Sequence, residues 1–369
     1  MKILELCLSP DLGGLELYMY RCCDALVRQG DEVVAVINPQ GRLVQYTEKL
    51  ALERHFITHG WRVLPLLNAR RLAKLIDERN IDAIHVHWGK DLPLAAFAKA
   101  LSKHKPRLVY TRQMQLTRVK HDFYHRFLYS QMDVMLTITR LLERAARERL
   151  PESDSNKVQT LYYGVKRPAD ELATAERAAL RNEWGVAEGA VVVGLFGRIE
   201  SFKGQHLMLQ ALASDINKAS NIHLLIVGHA MDKEYLEQLH RSVDELGLKG
   251  RVTFRDFVDN PQRWMQACDV VGLTTLEETF GLVLAEAMRA GVAVIGSNSG
   301  GVPEIIEHEN TGLLFAAGDA GSLAQQLHRY VAEPEMRQRL ANAGRDYADR
   351  HFNEVEHFAQ LRKVLSVGV

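Results

Sequence analysis

Three observations predict an α/β architecture of two domains, each built on its own parallel sheet. The chain has 369 residues, too many for one ordinary core. Residues 1–37 run strand, glycine loop, helix, strand, which is the opening unit of an open parallel sheet. The pattern breaks at residues 161–168, which hold Gly164 and Pro168, and a second set of strands starts at Ala190. The expected boundaries are 1–165 for the first domain, 166–350 for the second, and 351–369 for a terminal helix that packs back on the first.

Composition narrows the function classes. Apolar residues make up 47% and charged residues 25%, as in a soluble globular protein. The formal net charge is zero, so no global electrostatic case for nucleic acid arises, and nucleic acid is not an expected partner. The charge is unevenly placed. Residues 1–165 carry 25 Lys and Arg against 18 Asp and Glu, and residues 166–369 carry 21 against 28. Such asymmetry suggests unlike tasks for the two domains, or mutual attraction between them. Cys7, Cys22, Cys23 and Cys268 form no C-x-x-C pair, so neither a disulfide framework nor a zinc site is expected. No apolar run approaches the roughly 20 residues that span a bilayer, and residues 1–5 lack the form of a signal peptide. The expected location is cytoplasmic, with any membrane role peripheral.

In chain order, residues 2–8 read as a strand that Pro10, Gly13 and Gly14 end. Residues 15–27 carry helical apolar spacing and stop at Gly30, and residues 31–37 form a second strand. The first loop is not G-x-G-x-x-G, so dinucleotide binding gains little support. Gly13 and Gly14 read either as a tight turn or as a loop whose amides approach a phosphate. Residues 81–89 read as a buried strand ending in His85, His87, Trp88 and Gly89, at the end of the sheet where such folds bind ligands. His85 and His87 share a strand face. No third ligand is visible, so a metal is not expected, and His87 reads as a site residue or as a satisfied core histidine.

Residues 99–126 hold Lys99, Lys103, Lys105, Arg107, Arg112, Arg118, Lys120 and Arg126, with Asp122 the only acid. Phe123, Tyr124, Phe127 and Tyr129 lie at the end of this stretch. It suits an anionic acceptor, an anionic membrane surface, local electrostatic contact with nucleic acid, or a solvated helix face with core aromatics. Residues 134–138 form a strand and 141–150 a basic helix ended by Pro151. In the second half, strands are expected at 190–196, 223–227, 251–254, 269–274 and 292–295. Helices are expected at 171–184, 205–213, 233–246, 323–331, 335–350 and 352–367. Residues 296–304 read as a glycine-rich loop opening another helix, and 310–315 as a turn into a short strand.

Two features carry candidate chemistry. Arg198 and Lys203 stand five residues apart across a glycine-flanked loop at a helix start, a placement that suits a diphosphate; a plain surface pair is the other reading. Glu278 and Glu286 flank a turn, Phe280-Gly281-Leu282, that opens a helix. Amides at that helix start point to where an anion or a sugar hydroxyl can meet them. The eight-residue spacing is close to two helical turns, which predicts both carboxylates facing one cleft.

These residues together resemble a known group. Gly197-Arg198 with Lys203-Gly204, Glu278-Thr-Phe-Gly-Leu through Glu286-Ala-Met, Gly300-Gly301-Val-Pro-Glu304 and Thr311-Gly312-Leu-Leu look like the donor half of family-4 retaining glycosyltransferases, also called group 1. Gly13, Gly14 and the strand ending at His87 extend the resemblance over nearly the whole chain. It implies the GT-B architecture, two Rossmann-like lobes facing across a central cleft. By the same resemblance Arg198 and Lys203 hold the donor diphosphate. Glu278 contacts the transferred sugar, aided by the amides of Thr279, Phe280, Gly281 and Leu282, and Glu286 holds the ribose. The amide of Gly14, beside Gly13, reaches the phosphate from the other lobe. Transfer is then expected to be front-face and metal-independent, with no cofactor beyond the sugar nucleotide, for which uridine diphosphate is the commonest choice.

The chain departs from the family pattern in three places. Gln113 stands where many members carry the histidine of Thr-x-His, which leaves His87 or His121 to substitute. Tyr163-Gly164 stands for the frequent Asn-Gly, and Thr279 for a frequent glycine. Arg112, Gln113, Arg118, Lys120 and His121 are the expected acceptor-binding set. The expected partners are a sugar-nucleotide donor and a glycan or lipid-linked acceptor in surface polysaccharide or lipopolysaccharide synthesis, with peripheral contact to an anionic membrane. The alternatives are a glycoside phosphorylase or sucrose-synthase-like enzyme on the same fold, and a catalytically silent binder of anionic polymers.

Overall fold

A computed structural model describes residues 1–58 and 63–366. The chain divides into two compact units, Met1–Tyr162 with Val355–Val369, and Tyr163–Glu354. Each is a fully parallel sheet covered by helices.

The first unit has seven strands: β1 Lys2–Cys7, β2 Glu32–Ile37, β3 Glu53–Phe56, β4 Ala83–Val86, β5 Arg107–Arg112, β6 Val134–Thr137 and β7 Val158–Thr160. Their order in the sheet is β3-β2-β1-β4-β5-β6-β7. β-Branched and leucine side chains fill both faces, because parallel strands joined by helical crossovers are buried on both sides. Leu4, Leu6, Val34, Val36, Ile84, Val86 and Leu108 are all at most 1% exposed. The order reverses between β1 and β4, so the loops after these two strands leave in opposite directions and open a crevice at their carboxyl ends.

The second unit repeats this design with β8 Val191–Phe196, β9 Ile222–Val227, β10 Val252–Arg255, β11 Val270–Leu273, β12 Ala293–Ser297 and β13 Leu313–Phe315. Its order is β10-β9-β8-β11-β12-β13, and the reversal falls between β8 and β11. The loops after those two strands carry Arg198 with Lys203, and Glu278.

The final helix, Glu354–Ser366, belongs to the first unit. Phe358, Leu361 and Leu365 are buried there, and Arg362 donates to Asp31 at 2.6 and 2.9 Å. The same Asp31 carboxylate accepts from the Met1 ammonium at 2.8 Å. Burial opposes the charge of Asp31, but these two cations outweigh it and hold the carboxyl below its usual range.

Several local expectations change. Residues 38–80, where the reading above gives no element, contain the helices Leu43–Thr47 and Leu66–Arg79 and the edge strand β3. β3 reads Glu-Arg-His-Phe and has no buried position, so no apolar alternation marks it. Residues 296–304 open no long helix; only a single 3-10 turn, Val302–Glu304, forms before the chain moves to β13. The basic stretch 99–126 is not one helical face. It crosses the end of the helix Leu92–Leu101, all of β5, and a loop before the helix Phe123–Gln131. Much of its charge serves structure. Lys99 pairs with Asp133, Lys105 donates to the Lys99 carbonyl at 3.2 Å, and Arg107 donates to the Val364 carbonyl at 2.7 Å. Phe123, which only the solvated-helix reading places in the core, is 89% exposed.

Candidate functional site

In the second unit, β8 ends at Phe196 and the chain turns through Gly197 and Arg198 into the single turn Ser201–Lys203. Gly204 then takes φ +70° and caps the helix Gln205–Ala213. A Cβ at residue 204 would lie 2.4 Å from the Thr274 carbonyl oxygen, so glycine is needed on two counts. Thr274 holds the turn from the other side, donating its hydroxyl to the Lys203 carbonyl at 2.8 Å.

These contacts bring Lys203 against Glu278, with Nζ 2.9 Å from Oε2. Both side chains are about one-fifth exposed, at 21% and 22%. Glu278 Oε1 also accepts from the Thr279 amide at 3.1 Å. Gly300 and Gly301 explain the glycine pair read in the sequence. The Gly301 amide donates to the Glu278 carbonyl at 2.8 Å, and a Cβ at residue 300 would lie 2.1 Å from that same oxygen. The loop after β12 thus fixes the backbone of Glu278.

Arg198 is the more exposed cation, its side chain at 57%, with Nε 3.0 Å from Glu200 Oε1. The guanidinium and the Lys203 ammonium lie 5.9 and 5.3 Å from the centre of the Phe202 ring. The two cations read from the sequence are therefore on one loop and share an aromatic neighbour, but each already faces a carboxylate. Two further polar atoms line the small cavity behind this loop. Gln205 Oε1 and Thr275 Oγ1 are buried and accept nothing. The sequence reading missed both, since a lone Gln or Thr at an element boundary carries no spacing signal.

Glu286 sits in the second turn of the helix Leu282–Arg289 and is half-buried. The helical-spacing argument for Glu278 and Glu286 fails, because Glu278 lies outside the helix. Gly281 caps that helix at φ +102°. Phe280 is only 2% exposed, its ring edge-on to Tyr163 at 5.2 Å and Phe352 at 5.7 Å. Only backbone groups of Phe280 remain for a ligand.

In the first unit, Gly13 caps the helix Gly14–Arg28, and its amide donates to Glu16 Oε2 at 2.8 Å. The Glu16 carboxylate thus holds the Gly13 amide, the neighbour of the Gly14 amide that the resemblance assigns to the phosphate. Above Gly14 the space is open: a Cβ there meets nothing within 4 Å.

His87, at the carboxyl end of β4, is 1% exposed. Its Nε2 is 2.5 Å from Glu5 Oε2, and His85 Nδ1 is 3.0 Å from the same oxygen. His85 Nε2 meets Thr111 Oγ1 at 2.7 Å. Register explains the cluster, because β1 pairs β4 with Glu5 opposite His85. Burial alone would raise the Glu5 carboxyl, but His85 and His87 outweigh it and hold it at about 2. Burial, reinforced by His85, lowers His87 to about 4. An ionised carboxylate only accepts, so both histidines donate to Glu5, and neutral His87 keeps its lone pair on Nδ1. That atom is buried and has no hydrogen-bond partner. Folding also supplies a third candidate metal ligand, Cys22, within 4.8 Å of one nitrogen of each histidine. The Glu5 carboxylate accepts from both histidines, and burial holds the Cys22 thiol well above its usual range.

His87 lies at a cavity of about 430 Å³ whose wall includes Trp88, Lys90, Tyr110, Arg112, Gln113 and Lys120. Of the expected acceptor residues, Arg112, Gln113 and Lys120 converge here. Arg118 and His121 do not line the cavity: Arg118 is exposed, and His121 Nε2 is 2.8 Å from the Leu150 carbonyl. His121 is thereby tied to the helix end.

The buried histidines give the stability a pH dependence. An unfolded histidine takes its proton near pH 6.5. His87 does so only near 4, and His357, buried against Tyr18 and the Tyr162 carbonyl, only near 3. Between these values the unfolded chain binds more protons, so stability falls as pH drops from 6.5 toward 4. The expected loss is about 2 kcal/mol per histidine between pH 7 and 5. Urea unfolding of the whole chain at the two pH values measures it, and an unchanged free energy would refute it.

Two α/β units of this strand order carry cations and a carboxylate at the second reversal point, the place where open α/β sheets bind their ligands. Family models give the class its name. "Glycosyl transferases group 1" matches residues 176–347 and "Glycosyltransferase Family 4" matches residues 12–167. The chain belongs to this glycosyltransferase family, and its fold is that of the GT-B glycosyltransferases. It is 27% identical over 305 residues to the N-acetyl-alpha-D-glucosaminyl L-malate synthase of Bacillus anthracis, covering 80% of this chain and 77% of that one. It is 26% identical over 354 residues to the lipopolysaccharide core biosynthesis glycosyltransferase LpsD of Rhizobium meliloti, covering 96% and 95%. The crystal structure of Anabaena HepE in complex with UDP-glucose superposes with a TM-score of 0.81 at 25% identity, covering 99% of each chain.

Proposed function

We propose that the protein transfers a hexose from a uridine diphosphate sugar to a glycan or glycolipid acceptor, with retention of anomeric configuration. The observation that carries this is the Lys203–Glu278 pair, held at 2.9 Å at the strand reversal of the second unit beside Arg198. When the bond from the anomeric carbon to the diphosphate breaks, negative charge grows on the leaving phosphate. Lys203 and Arg198 are the cations placed to stabilise it, and preorganised charge of this kind needs no rearrangement during reaction. Glu278 orients the sugar hydroxyls and favours the oxocarbenium-like state, while Glu286 takes the ribose. The new glycosidic bond forms on the face the diphosphate leaves, and the acceptor proton passes to the departing phosphate oxygen. The proposal assigns no divalent ion to these steps. Glu278 as a covalent nucleophile is disfavoured, since an ammonium and an amide already stabilise its charge.

The likeness to Anabaena HepE supports the UDP-sugar donor, and the likeness to LpsD supports a surface-glycan acceptor. No helix among the described residues is long and apolar enough to cross a membrane, so contact with a lipid-linked acceptor is proposed as peripheral. The test is turnover of a UDP-sugar panel with and without a chelator, with the product anomer read by NMR. Inverted product, or loss of activity on chelation that Mg²⁺ restores, would overturn the corresponding part of the reading.

A further inference from the structure

We infer that the cavity of the first unit is an acceptor pocket for a small hydroxyl-bearing anion, one that carries a phosphate or carboxylate. This deepens the proposed transferase reading and rests on it for the word acceptor; the binding itself is independent of the donor.

Three observations converge on this cavity. The first is its charge. Lys90, Arg112 and Lys120 line it, and no Asp or Glu among the described residues does. Neither Arg112 nor Lys120 has an ion-pair partner among the described residues. Arg112 donates to neutral groups only, to Tyr110 Oη at 3.0 Å and the Gln115 carbonyl at 2.6 Å, and its buried Nε donates to nothing. Burial holds the Lys120 ammonium below its usual range; Arg118 and Arg112 add repulsion, which Asp122, outside the cavity wall, offsets only in part. Cations gathered without a carboxylate are stabilised by a bound anion, and a planar guanidinium suits phosphate or carboxylate oxygens.

The second is shape. Gly89 follows Trp88 at the mouth of the cavity. A Cβ there would lie 2.7 Å from Tyr110 Oη and 3.5 Å from an Arg112 terminal nitrogen. The missing side chain leaves room for this Tyr–Arg pair. A concave site of about 430 Å³ fits a monosaccharide-sized ligand better than the flat face of a bilayer. Two other lysines of the basic stretch do not extend it into a membrane surface, since Lys99 and Lys105 are bound to Asp133 and to helix carbonyls.

The third is His87. His87 lines this cavity, its Nδ1 is buried without a partner, and Glu5 accepts from the opposite nitrogen. The free lone pair accepts a hydrogen bond, which matches a ligand hydroxyl and not an anion. The pocket therefore offers charge at Arg112 and Lys120 and a hydroxyl acceptor at His87. Glu5 acts through His87 as a positioning residue, itself held by His85 and Thr111.

The experiment is calorimetric titration of the full chain, without nucleotide and at fixed ionic strength. Glycerol phosphate and glucuronate are compared with glycerol and glucose, with inorganic phosphate and phosphatidylglycerol vesicles as further arms. The anionic ligands are expected to bind about tenfold or more tightly than their neutral twins. Arg112→Gln and Lys120→Gln should each remove most of that difference, while Lys103→Gln, outside the cavity, should not. His87→Gln keeps a donor for Glu5 but loses the Nδ1 acceptor. It should weaken glycerol phosphate several-fold and leave inorganic phosphate unchanged. Equal binding of charged and neutral ligands, insensitivity to Arg112 and Lys120, or a dependence on them confined to vesicles would each overturn the inference. A parallel titration with UDP, in wild type and Lys203→Ala, reports on the donor reading separately, so failure of one is not failure of the other.

Discussion

Lys203→Ala is expected to lower kcat/KM for the sugar-nucleotide donor by about 10² to 10³-fold while the fold persists. That range is typical for removal of one preorganised electrostatic group from an active site. Two effects add. The ammonium that faces the leaving phosphate is lost, and the Glu278 carboxylate loses the counter-ion now 2.9 Å away, so the site becomes more hostile to a diphosphate. The side chain is partly exposed and contributes little to the core, while the Lys203 carbonyl keeps its bond from Thr274. Steady-state kinetics and a thermal melt on the same sample measure both halves. Unchanged kcat/KM would remove Lys203 from the donor site, and Glu278 with it.

Gly300→Ala is expected to be among the most damaging single-methyl changes near the site, costing about 3 kcal/mol or more of stability. Residue 300 has φ +59°, where an alanine costs roughly 1–2 kcal/mol. The added Cβ would also lie 2.1 Å from the Glu278 carbonyl oxygen, which is backbone and has no rotamer to escape into. Glu278 must therefore move, and activity should fall even where the variant is folded. Gly247→Ala separates the two terms. Its φ is +68°, yet a Cβ there meets nothing within 4 Å, so it should show the conformational cost alone. Urea unfolding of both variants provides the comparison. Equal losses would mean that the Gly300–Glu278 contact holds nothing in place.

Where the sequence succeeded, local chemistry and tertiary structure asked for the same residue. Gly204 is legible as the glycine that closes the loop before a helix, and the fold demands glycine there through its φ of +70° and the close approach of Thr274. The alternation and apolar content of β1, β2, β8 and β9 gave those strands nearly to the residue, since parallel strands must be apolar on both faces. β3 escaped because an edge strand with four half-exposed or exposed positions carries no such signal. The helical-spacing argument for Glu278 and Glu286 failed for a related reason. It counted helical turns across the very turn that separates the two residues, and the left-handed Gly281 there resets the geometry.

The residues of the candidate site divide the same way. Arg198, Lys203 and Glu278 stand in recognisable local patterns, so type and spacing named them. The basic stretch 99–126 could not be sorted by spacing. Only the fold showed that Lys99 and Lys105 are engaged structurally, that Arg118 and His121 turn away, and that Arg112, Gln113 and Lys120 meet at one cavity.

By itself, the sequence determined two parallel α/β units, the loops that end at each sheet reversal, and the glycines those loops require. These follow from burial patterns and backbone sterics, which act over a few neighbouring residues. Tertiary structure alone decided who faces whom: Lys203 against Glu278, Glu16 on the Gly13 amide, and Glu5 between His85 and His87. Hydrogen bonds and ion pairs act over about 3 Å, and strand register brings together groups that stand some 80 residues apart, a distance no local pattern in the chain records.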